Sequence, residues 1–192
     1  TLKSIVIEEG ITNIPANAFK NLYFRDVTIP STVKSIGDYA FCECYDLTTV
    51  NFSEGLEEIG ASAFNQTQIN NITLPSSLTT LGRESFAACY SLTGITIPDR
   101  VCVIPSECFK DCSALTTVDL GAGVTTIDDL AFYGSGITEI TLGENIEAIN
   151  TMAFDSTALS NVYILNPFIQ IEYSSQNDPN DPFPSTATIS GV

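Results

Sequence analysis

Seven phenylalanines, Phe19, Phe41, Phe64, Phe86, Phe109, Phe132 and Phe154, follow one another at intervals of 22 or 23 residues. No other property of this sequence limits the fold so tightly, because a period of that length means one structural unit laid down repeatedly. Five of the seven follow alanine, and Ser85 and Cys108 take that place in the other two. One grammar recurs around each phenylalanine, as in "INNITLPSSLTTLGRESFAAC" and "LTGITIPDRVCVIPSECFKDC". The pairs Ile72 and Leu74, Ile95 and Ile97, Val118 and Leu120, and Ile140 and Leu142 have the period of two expected of a strand with one buried face. Pro30, Pro75 and Pro98 follow such pairs directly, and proline ends a strand because it lacks a ladder donor. Val33 and Ile36, Leu78 and Leu81, and Val124 and Ile127 predict a second, shorter extended or turn segment. Gly37, Gly60, Gly82 or Pro105 then leads into the Ala-Phe stretch, for which one helical or 3-10 turn is expected.

A single unit cannot fold alone. About six buried apolar side chains at about 1.5–3 kcal/mol each compete with about 1–2 kcal/mol of backbone entropy for each of roughly 22 residues. The units must therefore stack, with equivalent strands paired in parallel at about 4.8 Å into a solenoid roughly 35–40 Å long. The expected fold is β-rich: about seven to eight coils of 22–23 residues with a parallel strand ladder and short helical or 3-10 turns. The period runs through residues 1–164 and breaks after them, so 165–192 read as a degenerate last repeat and C-terminal cap.

The elements L-x-x-I-x-I-P, S-V-x-x-I-G and A-F-x-x-C at this period resemble the BspA-like, treponemal-type leucine-rich repeats over residues 2–164. The first, third, sixth and seventh units lack the cysteine. The resemblance implies a leucine-rich repeat solenoid. It further implies adhesion to host or microbial proteins, with extracellular-matrix components as the ligand class.

The cysteines follow the repeat. From the central strand residue to the next phenylalanine the distance is always 14 residues, as from Val27 to Phe41, so length varies only between a phenylalanine and the strand after it. That gap is 9 after Phe41, Phe86 and Phe109 and 8 after the other four. The longer gaps belong to the units with Cys44, Cys89 and Cys112 three residues past the phenylalanine; the shorter have Leu22, Thr67, Ser135 and Thr157 there. A small, weakly polar thiol at a buried corner accounts for this pattern. Stacked equivalents point the same way, so free thiols are predicted. Cys108 stands in the place of the small alanine and is expected to be buried, whereas Cys42 and Cys102 lie off the ladder. With no histidine in the chain, neither a mixed zinc site nor a cysteine nucleophile with its usual base is expected.

The balance of 23 acids against 7 bases, a net charge of −16, disfavours nucleic acid and anionic membrane surfaces as partners. No run of eighteen apolar residues occurs, so no helical membrane span is expected. The chain opens inside a strand-like pattern, and a preceding segment is expected to be missing from it. Six cysteines are compatible with an oxidising compartment but too sparse for a disulfide scaffold, and the expected location is secreted or at the cell surface.

Two candidate surfaces emerge. Outward strand positions read Val6, Thr28, Asn51, Thr73, Thr96, Asp119, Thr141 and Tyr163, with Glu139 two places before Thr141. Threonine rows suit any solvated sheet face, but Thr96, Asp119, Glu139, Thr141 and Tyr163 are the candidate ligand-binding group. Tyr23, Tyr45 and Tyr90, each just after the corner residue, are a second candidate edge for a sugar or a protein. The acid groups Glu54, Glu57 and Glu58, and Asp128 with Asp129, fall in or beside turns and read as loop charge. In the tail, Asn177, Asp178, Asn180 and Asp181 lie in a polar insertion, Ser174–Pro182, that reads as a plain loop rather than a calcium site. The sequons at Asn51, Asn65 and Asn71 lie in or near strands. The function expected is a non-catalytic binding module that adheres to proteins through a solenoid face. The alternatives are a carbohydrate-binding or carbohydrate-active protein and a passive spacer displaying other domains.

Overall fold

The computed structural model describes residues 3–171 and 181–191, the side chains of Gln170 and Ile171 excepted. It is a parallel β-solenoid of about eight turns, and every regular element among the described residues is a strand. The expected strand forms in every periodic coil but the one holding Ile72 and Leu74, as β1 (Ser4–Val6), β3 (Asp26–Ile29), β5 (Thr49–Phe52), β8 (Gly94–Thr96), β10 (Thr117–Asp119), β12 (Glu139–Leu142) and β14 (Asn161–Ile164), and β16 (Thr188–Gly191) adds one more. The V-x-x-I segments form a second set of two-residue strands, β2 (Asn13–Ile14), β4 (Ser35–Ile36), β6 (Glu58–Ile59), β7 (Thr80–Leu81), β9 (Val103–Ile104), β11 (Thr126–Ile127), β13 (Ala148–Ile149) and β15 (Gln170–Ile171). All pairings are parallel and join equivalent residues, Val27 to Val50 and Ile140 to Val162 for example.

At the Ala-Phe corner the expected short turns are present but minor, with no helix among the described residues. The corner forms a third ladder between coils. The N–H groups of Phe19, Phe41, Phe109 and Phe132 donate to the carbonyls of Ala40, Ala63, Ala131 and Ala153 in the next coil, each at 2.8 Å. Residues two before and two after the phenylalanine do the same, as Tyr39 N–H to Ala61 and Glu43 N–H to Asn65. Intervening N–H groups close turns within the coil, Ala18 onto Pro15 and Lys20 onto Asn17. Alternate N–H groups can point along the solenoid axis only if the backbone alternates its hand. The positions two before and two after the phenylalanine accordingly have φ near +60°, from Asn17 and Asn21 through Leu130, Met152 and Ser156.

This ladder holds the phenylalanine rings in a continuous pile. Neighbouring rings of the seven lie 5.1–5.7 Å apart and within 15° of parallel, and Phe183 adds an eighth ring, 5.5 Å from Phe154. All but Phe19 of the periodic seven are fully buried. Each ring contributes about 1.5–3 kcal/mol by burial, with about 0.5–1.5 kcal/mol more from its ring neighbours.

Residues 181–191 add to the corner and strand ladders of the last periodic coils. Phe154 N–H donates to the carbonyl of Pro182 at 2.7 Å, and β16 pairs with β14. Phe183 N–H turns back onto Asp181 Oδ1 at 3.1 Å, so the corner ladder has no outgoing donor at that ring. Asn177, Asp178 and Asn180, considered above for calcium, lie outside the described residues.

Candidate functional site

The three corner cysteines are packing residues whose thiols have a job. Cys44, Cys89 and Cys112 are fully buried and donate to the carbonyls of Phe19, Phe64 and Phe86 in the preceding coil, at 3.1, 3.3 and 3.1 Å. In the shorter units Thr67 and Thr157 instead donate to the phenylalanine carbonyl of their own coil, at 3.0 and 2.7 Å. Burial pushes the Cys44 thiol up to about 11 and the Cys108 thiol to about 12. They are protonated at neutral pH and poor nucleophiles. All six cysteines are free, and only Cys102 is exposed.

Several turn acids bind the neighbouring coil. Glu54 accepts hydrogen bonds from the Ser76 and Ser77 N–H groups and the Ser76 hydroxyl one coil on, and the Ser76 N–H above all holds its carboxyl below the usual range. Asp38, Asp99 and Asp129 likewise accept the N–H groups of Ala61, Ala122 and Thr151. Hydrogen bonds from backbone N–H groups of the neighbouring coil favour the ionised form of a carboxylate and tie it to the turn. Among the described residues no group of three or more His, Cys, Asp or Glu is placed to hold a metal ion.

The strand face has a different character. Thr28, Asn51, Thr73, Thr96, Asp119, Thr141 and Tyr163 are exposed as the period predicts, but the ladder beneath them is interrupted. β1, β3 and β5 pair, β8 pairs with β10, and β12, β14 and β16 pair, with no pairing between these groups. Asn71–Leu74, expected as a strand, pairs with neither neighbour. The phenylalanine-to-strand gap changes four times along the periodic units, at Val27/Val50, Val50/Ile72, Ile72/Ile95 and Val118/Ile140. The ladder is lost at the last three and survives only at the first. Ring stack and strand are each in register with their counterparts, so an extra residue between them must be absorbed, and at these places it lifts the strand edge.

The first two losses, on either side of Asn71–Leu74, form one interruption and the third a second, and a hollow opens at each. One of about 510 Å³ is lined by Thr49, Asn51, Asn71, Thr73, Thr96 and Asp119 among others. The next, about 580 Å³, is lined by Thr117, Asp119, Glu139, Thr141 and Tyr163. Inward residues surface there: Phe52 and Ile72 line the first, Val118 and Leu120 the second, and all four are half-buried, unlike Ile95, Ile97, Ile140 and Leu142. No lysine or arginine lines either hollow. The sequence has none after Lys110, while 11 of its 23 acids follow it.

The five strand-face candidates thus come together: Asp119, Glu139, Thr141 and Tyr163 around one hollow, with Thr96 and Asp119 in the adjoining one. The tyrosines do not converge in the same way. Tyr23, Tyr45 and Tyr90 are exposed on the corner edge, and only Tyr45 lines the hollow there, about 470 Å³ in size, beside Arg25 and Gln68. Its hydroxyl donates to Gln66 Oε1 at 3.4 Å. The half-buried floor of Val118 and Leu120 went unforeseen, though the change of gap after Phe132 was its signal.

Comparison with known proteins agrees with this geometry. The family described as "BspA type Leucine rich repeat region" matches in six copies over residues 1–93 and 79–178. A leucine rich cell surface protein of Faecalibacterium prausnitzii superposes with a TM-score of 0.73 at 30% identity, covering 84% of this chain and 47% of that one. The leucine-rich repeat protein of T. pallidum gives 0.67 at 26%, covering 87% and 77%. A leucine-rich repeat protein of Bacteroides ovatus gives 0.64 at 24%, covering 88% and 50%, and shares the fold. This chain therefore spans about half the length of the F. prausnitzii and B. ovatus proteins. No curated protein matches it.

Proposed function

This chain belongs to the BspA-type leucine-rich repeat family, and on that premise we propose that it is a non-catalytic binding module, secreted or displayed at the cell surface, that adheres to protein partners through its strand face. The observation that carries this reading is the interrupted ladder. It gives an otherwise regular threonine-rich face two adjoining hollows with half-buried apolar floors and polar rims. An apolar centre inside a polar rim is the usual build of a protein interface. The surface placement is supported by the F. prausnitzii relative, described as a cell surface protein. Extracellular-matrix components are the proposed ligand class.

The test is a solid-phase screen of the purified protein against matrix proteins and a glycan array, repeated with Thr73→Arg/Thr141→Arg and with Tyr23→Ala/Tyr90→Ala. The threonines are exposed, so the first variant places two long side chains on the face while leaving the core intact. Binding to at least one matrix protein, reduced about tenfold or more by the strand-face variant and unchanged by the tyrosine variant, supports the proposal. No binding at micromolar concentration, or loss only in the tyrosine variant, overturns it.

A further inference from the structure

The second interruption of the ladder has a specific chemistry. No backbone hydrogen bond joins Thr117–Leu120 to Glu139–Leu142, and Val118 and Leu120 are half-buried on the floor between them. Glu139 stands in its coil where Thr117 stands in the one before, and Asp119 stands where Thr141 does. The two carboxylates therefore stand diagonally across the gap, and both line the hollow. Tyr163, exposed, lies beside Thr141 in register. An apolar floor, two acids and an aromatic ring at one hollow fit a long cationic side chain: the aliphatic stem covers the floor, the charged head meets the carboxylates, and the ring face attracts the cation.

The electrostatic setting has the same sign. No lysine or arginine lines this hollow to compete for its acids, and an acidic hollow attracts positively charged groups and repels anions. Neutral glycans would gain nothing from it. Resting on the protein-binding reading above, we infer that the hollow bounded by Asp119, Glu139 and Tyr163 seats a lysine or arginine of an extended basic segment in the protein partner.

A fluorescein-labelled peptide of alternating lysine and threonine, about twelve residues long, and its glutamine–threonine analogue provide the test by fluorescence anisotropy. The lysine peptide is expected to bind at least about tenfold more tightly than the analogue and to lose affinity as salt is raised to about 0.5 M. Asp119→Asn/Glu139→Gln is expected to weaken it about tenfold. Glu144→Gln/Glu147→Gln removes the same charge from two exposed positions outside the hollow and is expected to change it less than about twofold. Equal binding of the two peptides, equal loss in both variants, or preference for a neutral glycan regardless of salt overturns the inference. If a matrix protein still loses binding to Thr73→Arg/Thr141→Arg while the lysine peptide is not preferred, only this inference falls. If neither occurs, the protein-binding reading falls with it.

Discussion

At the scale of single residues, the position three past each phenylalanine shows how one polar atom adapts to turn length. In the longer turns a thiol reaches back to the previous coil's phenylalanine carbonyl, and in the shorter ones a threonine hydroxyl reaches its own. The pairing of cysteine with the longer gap was legible in the sequence because both recur in the same three units. The acceptor was not, because a carbonyl 25 or 26 residues away becomes a neighbour only after stacking. Ser135 is the exception: it sits in a short turn, is buried, and its hydroxyl has no partner among the described residues. A buried unsatisfied hydroxyl costs about 1–3 kcal/mol. Ser135→Thr, matching Thr67 and Thr157, is expected to raise stability by about 1 kcal/mol in urea unfolding, and Ser135→Ala to raise it by a similar amount by removing the orphan group. Lower stability in both variants would show that the hydroxyl is satisfied in solution.

At the scale of elements, the two strand sets and their registers followed from the period of two and the V-x-x-I spacing, but the corner did not. Its left-handed positions are filled by Asn17 and Asn21, which tolerate that conformation, and equally by Glu84, Leu130 and Met152, which do not. For these residues the strain of about 1–2 kcal/mol each is offset by hydrogen bonds to the next coil, a term no single repeat contains. The same reason hid the hollows. The outward residues Thr96, Asp119, Glu139, Thr141 and Tyr163 could be read from alternation, but the loss of pairing between coils depends on how a one-residue difference is absorbed in three dimensions. Coils elsewhere approach too closely for any side chain. A Cβ on Gly123 would lie 1.8 Å from the carbonyl oxygen of Asp99, whereas one on Gly143 would meet nothing within 4 Å. Gly123→Ala therefore forces two backbones apart and is expected to cost about 1–3 kcal/mol in chemical denaturation, while Gly143→Ala stays within about 0.5 kcal/mol. Equal effects would mean that the turn, not the approach of the coils, sets the cost.

At the scale of the whole molecule, charge is distributed unevenly along the axis. Among the described residues the salt bridges lie between Lys20 and Lys110, as in Lys34–Glu57 at 3.5 Å and Lys110–Glu107 at 2.8 Å, with Arg83 also on Glu107. Burial works to raise the Glu107 carboxyl, but the hydrogen bonds from Lys110 and Arg83 outweigh it and hold it low. That pair of contacts stabilises the fold above the ordinary glutamate value of about 4.3 and is lost as pH falls through the depressed one. Asp128 has the opposite sign: burial, then Asp129, raises its carboxyl. It opposes folding at neutral pH, and this penalty is relieved as pH falls through the raised value. Past Lys110 the sequence has eleven acids and no base, so negative charge accumulates in that half at pH 7. Exposed ion pairs are worth only about 0–1 kcal/mol each, too little to balance a net charge of −16. Screening should consequently help more than it harms: raising NaCl to about 0.5 M, where the Debye length is roughly 4 Å, is expected to lift Tm by about 2–4 °C, equivalent to roughly 1 kcal/mol for a chain of this size. Differential scanning calorimetry at pH 7 measures this shift. A fall in Tm with salt would mean that the bridges around Glu107 outweigh the repulsion of the acidic half.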